Sequence, residues 1–424
     1  RMNSSNGKTV SPMQANEIRI SFPSGMKDGV QIHICGSKSQ SNRMLVLRAV
    51  TGAGLTIDNL SDSDDTVSMQ NLVSSCADTV DIGHAGTTMR FGTAYFASRE
   101  GRRVTLTGSS RMKERPIYPL VDALRSLGAD ISYAGRDGFP PLDIRGVKIK
   151  GGRCTVDSSV SSQFVTALLL AAPSFENGIE LHLSGRSVSK PYIRMTLAAL
   201  AAVGAKCRAD GDVITVEPLG KPFSGSIKIE SDWSSASYFF SFAALARKSV
   251  SLSSYFYDSV QGDSKVADIY RNFGVEASVT DDVVRITPAE GYVPPASLCL
   301  DMEDTPDLAQ SVAVTMAAMG IKGMLTGLST LRVKETDRIA AMEAELEKFG
   351  VMCRTTDDSL EITHFGCPKD NILLRTYQDH RMAMAFAPLA LKMPFSVENP
   401  GVAAKSYPRF WDDFLSIGGQ MEII

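Results

Sequence analysis

Polar and cationic side chains gather where short, small-residue helices are expected to begin. Gly36-Ser37-Lys38-Ser39-Gln40-Ser41-Asn42-Arg43 follows the strand-like run VQIHIC and opens such a helix. Free backbone N–H groups and the positive end of a helix attract anions, and Lys38 and Arg43 add charge there. The stretch is no Walker A loop, because GxxxxGK[ST] is absent. His84-Ala85-Gly86-Thr87-Thr88-Met89-Arg90 supplies a glycine for close backbone approach, a hydroxyl and a guanidinium. Ser158–Gln163 supplies hydroxyls and an amide suited to a polyol or a phosphate. Asp232 with Ser234, Ser235 and Ser237, and then Gln378-Asp379-His380-Arg381, repeat the theme. Each start alone reads as an N-cap. Five at equivalent points of a repeat exceed what capping requires.

Two further segments are dense in charge, Arg111–Pro116 (RMKERP) and Arg332–Arg338 (RVKETDR). Pro116 is expected to mark a helix entry. Asp307 lies in DTPDLAQSVAV, with Thr305 as the expected cap and Pro306 at the first helical position, where a carboxylate is stabilised as the anion. No GxSxG elbow accompanies a histidine, so a hydrolytic serine triad is not indicated. The residues point to a two-domain enzyme binding one or two small phosphorylated anions in a cation-lined cleft. Lys38, Asp307, Glu335 and His380 are its candidates for proton transfer.

The elements that must position these groups repeat. Helical stretches rich in Ala and Leu, each followed by a strand-like run, recur over Arg43–Leu60, Met89–Gly108, Phe164–Gly185, Ser235–Tyr255, Ser311–Ser329 and Arg381–Gly401. Their few charges suit helices buried on most sides. Between them an amphipathic helix, a glycine turn and two short strands recur, as in LVDALRSLGADISYAG and MEAELEKFGVMCRTTDDSLEI. The turn glycines are Gly128, Gly204, Gly274, Gly350 and Gly418, where a helix C-terminus needs a residue at positive φ. The expected fold is α/β, with two domains of three βαβ-type units each. The joins are expected near Cys35–Gly36 and Ile229–Ser231.

Composition narrows the class. The chain has 424 residues, 43% apolar and 21% charged, with 44 Lys+Arg against 47 Asp+Glu. A net charge of −3 provides no cationic field to gather nucleic acid. No apolar run reaches the roughly 18–20 residues of a membrane span. The polar first sixteen residues show no secretory signal, and Arg1 ahead of Met2 reads as a processing remnant. Seven scattered cysteines without a CxxC pair fit reduced thiols in the cytoplasm, and five histidines without HxxxH or HExxH spacing argue against a bound metal.

These motifs, in this order, resemble the 5-enolpyruvylshikimate-3-phosphate synthase family (3-phosphoshikimate 1-carboxyvinyltransferases). The matching segments are GSKSQSNR (Gly36–Arg43), AGTTMR (Ala85–Arg90), RMKERPI (Arg111–Ile117), SVSSQF (Ser159–Phe164) and VSKPYI (Val188–Ile193). DWSSASY (Asp232–Tyr238), Pro306-Asp307, RVKETDR, DHRMAM (Asp379–Met384) and AKSYP (Ala404–Pro408) complete them. The resemblance implies an enolpyruvyl transferase fold, an inverse α/β barrel-like arrangement. Residues 1–35 plus 231–424 would form one domain and 36–230 the other, with the active site in the cleft between them.

It also implies the reaction, a step of chorismate and aromatic amino-acid biosynthesis. The 5-hydroxyl of shikimate 3-phosphate attacks C2 of phosphoenolpyruvate, C3 is protonated, and the tetrahedral adduct loses phosphate. No cofactor is implied. By resemblance, Lys38, Ser39, Arg43, Ser161, Ser162, Gln163, Ser189, Tyr192, Asp307 and Lys334 contact shikimate 3-phosphate. Lys38, Gly86, Arg111, Gln163, Arg338, Arg381 and Lys405 surround phosphoenolpyruvate. Asp307 would accept from the reacting hydroxyl and Glu335 would serve C3, with Lys38 and His380 near the leaving phosphate. Anion binding between mutually repelling cations is expected to close the domains. The buried small-residue helices are expected to leave a monomer.

Three positions depart from the family pattern: His84 for Asn, Phe91 for Pro and Thr330 for Asn. The first two flank Gly86, and an altered sensitivity to glyphosate is expected from them. Two other readings compete. One is the sister carboxyvinyl transferase acting on UDP-N-acetylglucosamine, which lacks RVKETDR and carries a loop cysteine that Cys76 does not match. The other is a non-catalytic phosphometabolite-binding homologue, which the intact Lys38, Asp307, Glu335 and His380 oppose.

Overall fold

The computed structural model describes residues 11–424 apart from 158, 160 and 186–189. The chain divides into two units. One combines the chain up to Ile34 with Ser231–Ile424, and the other is Cys35–Glu230.

Within the Cys35–Glu230 unit, Thr79–Asp81 pairs in parallel with Arg103–Thr107, whose other edge takes Leu142–Arg145 and then Asp130–Tyr133, both antiparallel. The next sheet repeats that order with Gly152–Asp157, Ile179–Ser184, Val213–Val216 and Cys207–Asp210. A parallel pair, Gly54–Asp58 with Ser224–Lys228, joins the two ends of the unit. The other unit has three sheets of the same order, built on Val30–His33 with Val250–Ser253, Ser297–Asp301 with Lys322–Thr326, and Leu373–Leu374 with Phe395–Glu398. Each parallel pair outside the closing one is linked by a buried helix, as parallel strands require a crossover. An amphipathic or short helix then leads into the antiparallel strands.

The crossover helices are Lys38–Thr51, Gly86–Ala97 and Ser162–Ala171 in one unit, and Trp233–Ala246, Ala309–Ala318 and His380–Phe386 in the other. The three of each unit pack on one another. Small side chains permit it, and buried hydroxyls satisfy each other across the helices. Ser241 lies 2.9 Å from Thr315, which also faces the Tyr270 hydroxyl at 2.8 Å. The expected turn glycines Gly128, Gly204, Gly274, Gly350 and Gly418 all adopt positive φ, between 76° and 110°. No helix among the described residues is long and apolar enough to cross a membrane.

Two local expectations are corrected. The helix after RMKERP begins at Tyr118 with Pro119 in its first turn, and Pro116 lies in the link from the 3-10 turn Met112–Glu114. Thr305 takes the N-cap position with Pro306 next to it, but of a 3-10 turn, Pro306–Leu308, that precedes the helix Ala309–Ala318, and it caps through its carbonyl, which accepts from the Leu308 N–H, with no side-chain cap bond.

Candidate active site

The Cys35–Glu230 unit brings the starts of its crossover helices together. Ser37 caps the helix Lys38–Thr51, accepting from the Gln40 N–H at 3.3 Å, and Ser161 caps Ser162–Ala171, accepting from Gln163 at 3.2 Å. Capping therefore accounts for part of each serine-rich motif, and the remaining groups point elsewhere. Lys38 Nζ lies 3.1 Å from the buried Asp65 carboxylate. The Gln163 amide donates to Thr87 Oγ1 at 3.0 Å and its carbonyl accepts from Arg90, which rests over the Phe164 ring. Arg43 is 4% exposed and donates from Nε to Thr196 Oγ1 and from Nη1 to the Ser39 carbonyl, both at 2.9 Å. Burial pushes its guanidinium down to about 10, against the favourable charge of Tyr192. Ser162 and Tyr192 are half-buried beside these groups. Ser189, and with it Ser158 and Val160 of the serine run, lies outside the described residues.

Gly86 and Arg111 do not come together as expected. Arg111 is 68% exposed and pairs at 3.4 Å with the exposed Glu114. Arg115 instead stands against Gly86, where an added Cβ would lie 2.8 Å from its Nη1 and 3.5 Å from Arg90 Nη1. The 3-10 turn at Met112–Glu114 separates the first arginine of RMKERP from the second. The motif named the segment but not which of its cations faces the glycine.

The other unit assembles a buried ion cluster. Arg338, 2% exposed, reaches three carboxylates: Asp379 from Nε at 2.8 Å, Asp307 from Nη1 at 3.1 Å and Glu335 from Nη2 at 2.7 Å. Lys405 holds the second Glu335 oxygen at 2.7 Å. Arg381 Nη2 lies 3.6 Å from Asp307, and its Nη1 donates to the Tyr238 hydroxyl at 3.2 Å. Asp379 caps the helix His380–Phe386, accepting from the Arg381 N–H, and so ties the helix start to Arg338. His380 is buried with Nδ1 3.5 Å from Asp379. Five predicted groups, Asp307, Glu335, Arg338, Arg381 and Lys405, thus share direct contacts, with Asp379 and His380 beneath them.

Electrostatics follow from that packing. Burial opposes the charge on Asp307, yet Arg381, Lys334 and Arg338 hold its carboxyl far below the ordinary range. Burial likewise opposes ionisation of Glu335, and Arg338, Lys405 and His380 overcome it. Asp307 favours the charge on Lys334, but burial with Arg338 and Arg381 leaves its ammonium lowered. Burial pushes the Tyr238 phenol up to about 12, so it remains neutral.

Two groups here escaped the sequence. Gln310, buried at the start of Ala309–Ala318, donates to Asp379 Oδ2 at 3.3 Å. Asp263 accepts from Ser234 Oγ at 2.5 Å, and burial, followed by the charge of Asp307, pushes its carboxyl up to about 7. Asp263 stands in the 3-10 turn Gly262–Lys265, whose only sequence signal is a lone acid between Gly262 and Ser264.

Comparison with known proteins agrees with this chemistry. The family model described as EPSP synthase (3-phosphoshikimate 1-carboxyvinyltransferase) matches residues 68–414. The 3-phosphoshikimate 1-carboxyvinyltransferase of Bacteroides fragilis strain YCH46 is 40% identical over 409 residues, covering 94% of this chain and 97% of its own. That of Shewanella sp. strain ANA-3 is 37% identical over 419 residues, covering 91% and 96%. The solved EPSP synthase of Acinetobacter baumannii shares the fold, with a TM-score of 0.77 over 96% of this chain and 99% of that one at 22% identity. On the family match and the near full-length identity, this chain belongs to the EPSP synthase family.

Proposed function

We propose that the chain transfers the enolpyruvyl group of phosphoenolpyruvate to the 5-hydroxyl of shikimate 3-phosphate, with both half-sites serving one reaction. The observation that carries this reading is the pair of ionised carboxylates, Asp307 and Glu335, sharing the buried Arg338. Addition forms a C–O bond at C2, passes the hydroxyl proton to a base and gives C3 a proton. Elimination returns the C3 proton and breaks the C2–O bond to phosphate. Atoms and electrons balance with no redox partner.

Asp307, low in pKa, is a weak base toward a ground-state alcohol. It serves by accepting the hydroxyl hydrogen bond, and it takes the proton as the attacking oxygen becomes acidic. Glu335 must carry a proton to deliver one to C3, yet it is ionised while Arg338 and Lys405 hold it. The carboxylate and phosphate of phosphoenolpyruvate compete for Arg338, Arg381 and Lys405, and their negative charge lifts Glu335 toward the ordinary range. The same cations stabilise charge developing in the adduct. Lys38 leaves its pair with Asp65 for a substrate phosphate, and His380 supports the cluster through Asp379. Ser39, Arg43, Ser161, Ser162, Gln163, Ser189, Tyr192 and Lys334 hold shikimate 3-phosphate. Arg115, with Gly86, takes the place assigned by sequence to Arg111. A cytoplasmic monomer completes the reading.

The test is phosphate release from phosphoenolpyruvate with either acceptor. Release is expected with shikimate 3-phosphate alone, and Glu335→Ala or Lys38→Ala should lower it at least about a hundred-fold. Release with UDP-N-acetylglucosamine would assign the sister reaction. Binding of shikimate 3-phosphate without turnover would assign a non-catalytic homologue.

A further inference from the structure

Arg43 is a buried cation of an unusual kind. Among the described residues no carboxylate lies within ion-pair distance of it, whereas Lys38 in the same helix is paired with Asp65. Its neutral partners are the Thr196 hydroxyl and the Ser39 carbonyl, and among the described residues Nη2 has no protein acceptor. Two aromatic rings replace the counter-ion. The guanidinium carbon lies 5.8 Å from the centroid of Phe91 and 5.8 Å from that of Tyr192. Phe91 is 1% exposed, fixed within the helix Gly86–Ala97, and Tyr192 comes from the helix Lys190–Ala202.

Ring faces attract a cation through their quadrupole without neutralising its charge. A carboxylate at this place would hold Arg43 equally firmly, but an incoming anion would have to displace it. We propose that Phe91 is a positioning residue that, together with Tyr192, holds the Arg43 guanidinium in place and so sets the affinity for the anionic first substrate. The inference rests on the reading that Arg43 binds shikimate 3-phosphate. It adds Phe91, which has no polar atom and reaches the ligand only through Arg43. Burial lowers the affinity of Arg43 for its own proton, as expected of a cation held by neutral groups and rings with no carboxylate beside it among the described residues.

Removing the ring while keeping apolar bulk isolates the effect. For Phe91→Leu, the calorimetric Kd and the KM for shikimate 3-phosphate should rise roughly three- to thirty-fold, the range of a desolvated cation–π contact. The KM for phosphoenolpyruvate and the saturated kcat should stay within about two-fold, and Phe91→Tyr should restore the affinity. Should the leucine variant fail to fold, Phe91→Met gives the same reading. A leucine or methionine variant with unchanged Kd overturns the clamp, as do tyrosine and leucine variants weakened equally, which would mark a packing effect. A wild-type protein that binds no shikimate 3-phosphate takes down the functional reading and the clamp together. Binding by wild type with no response to Phe91→Leu takes down the clamp alone.

Discussion

Glu335 is bound on both oxygens by cations, Arg338 at 2.7 Å and Lys405 at 2.7 Å, and its side chain is only 23% exposed. Its folded pKa is depressed, so in the free protein it contributes stability above its unfolded value and loses it as pH falls through the folded one. Under the proposed function, substrate anions would reverse the local field by occupying the same cations. Its pKa should then climb back toward the ordinary carboxyl range, so that binding measured at mildly acidic pH, about 4 to 5, takes up protons. Calorimetry of substrate binding in two buffers of different ionisation enthalpy should show a net uptake of at most about one proton. Glu335→Gln should remove that uptake, and an unchanged value would assign the proton to another group. At this scale the sequence was legible where residues stand in dense motifs, as Glu335 and Arg338 do in RVKETDR. It was not legible for Asp263, whose role comes from burial beside Asp307 and Arg381, more than forty residues away in the chain. Arg115 shows the same limit at shorter range, since only the backbone of the 3-10 turn decides which arginine meets Gly86.

The glycine that opens GSKSQSNR serves an element rather than a ligand. A Cβ on Gly36 would lie 1.8 Å from the Asn59 carbonyl oxygen and 2.9 Å from Ile229 Cγ2. Here the chain entering the unit crosses the strand ends that close it. Ser37 N–H donates to the Glu230 carbonyl at 2.8 Å, and the Asn59 amide donates to the Ile229 carbonyl at 2.8 Å. No rotamer change relieves a clash with backbone, so the segment leading into the helix at Lys38 must move. Gly36→Ala should destabilise by about 3 kcal/mol and lower turnover, read by thermal melting and phosphate release. Gly101→Ala, at φ +82° but in open space, should cost only about 1 kcal/mol and leave turnover intact. Equal effects would place the cost in backbone conformation instead. The element pattern itself was legible because each helix–glycine–strand run is local. The closing pair of Gly54–Asp58 with Ser224–Lys228 was not, since neither strand carries a signal for a partner about 170 residues away.

Each unit of the molecule has its own core and its own half of the charged residues. The topology makes one an insertion in the other. Val30–His33 pairs with Val250–Ser253 only after the whole of Cys35–Glu230 has been traversed. Both ends of the inserted unit are nevertheless tied locally, Ser37 to Glu230 within it, and Ile34 to Ser231 within the other. A chain whose ends meet at its own surface needs no outside contact to close its core. The segment Gly36–Glu230 should therefore melt in a single cooperative transition when expressed alone. The remainder, joined from Ile34 to Ser231 through a short Gly/Ser linker, should do the same. On the proposed function neither should release phosphate from phosphoenolpyruvate, because two of the residues that reading calls on, Lys38 and Arg43, are on one piece and three others, Asp307, Glu335 and Arg338, are on the other. On the same reading the first piece should still bind shikimate 3-phosphate in calorimetry, more weakly than the whole protein, because it lacks the proposed contributors Asp307 and Lys334. Turnover by either piece would show that one half-site suffices. A first piece that melts without cooperativity would show that its core depends on the other unit despite the local closure at Gly36.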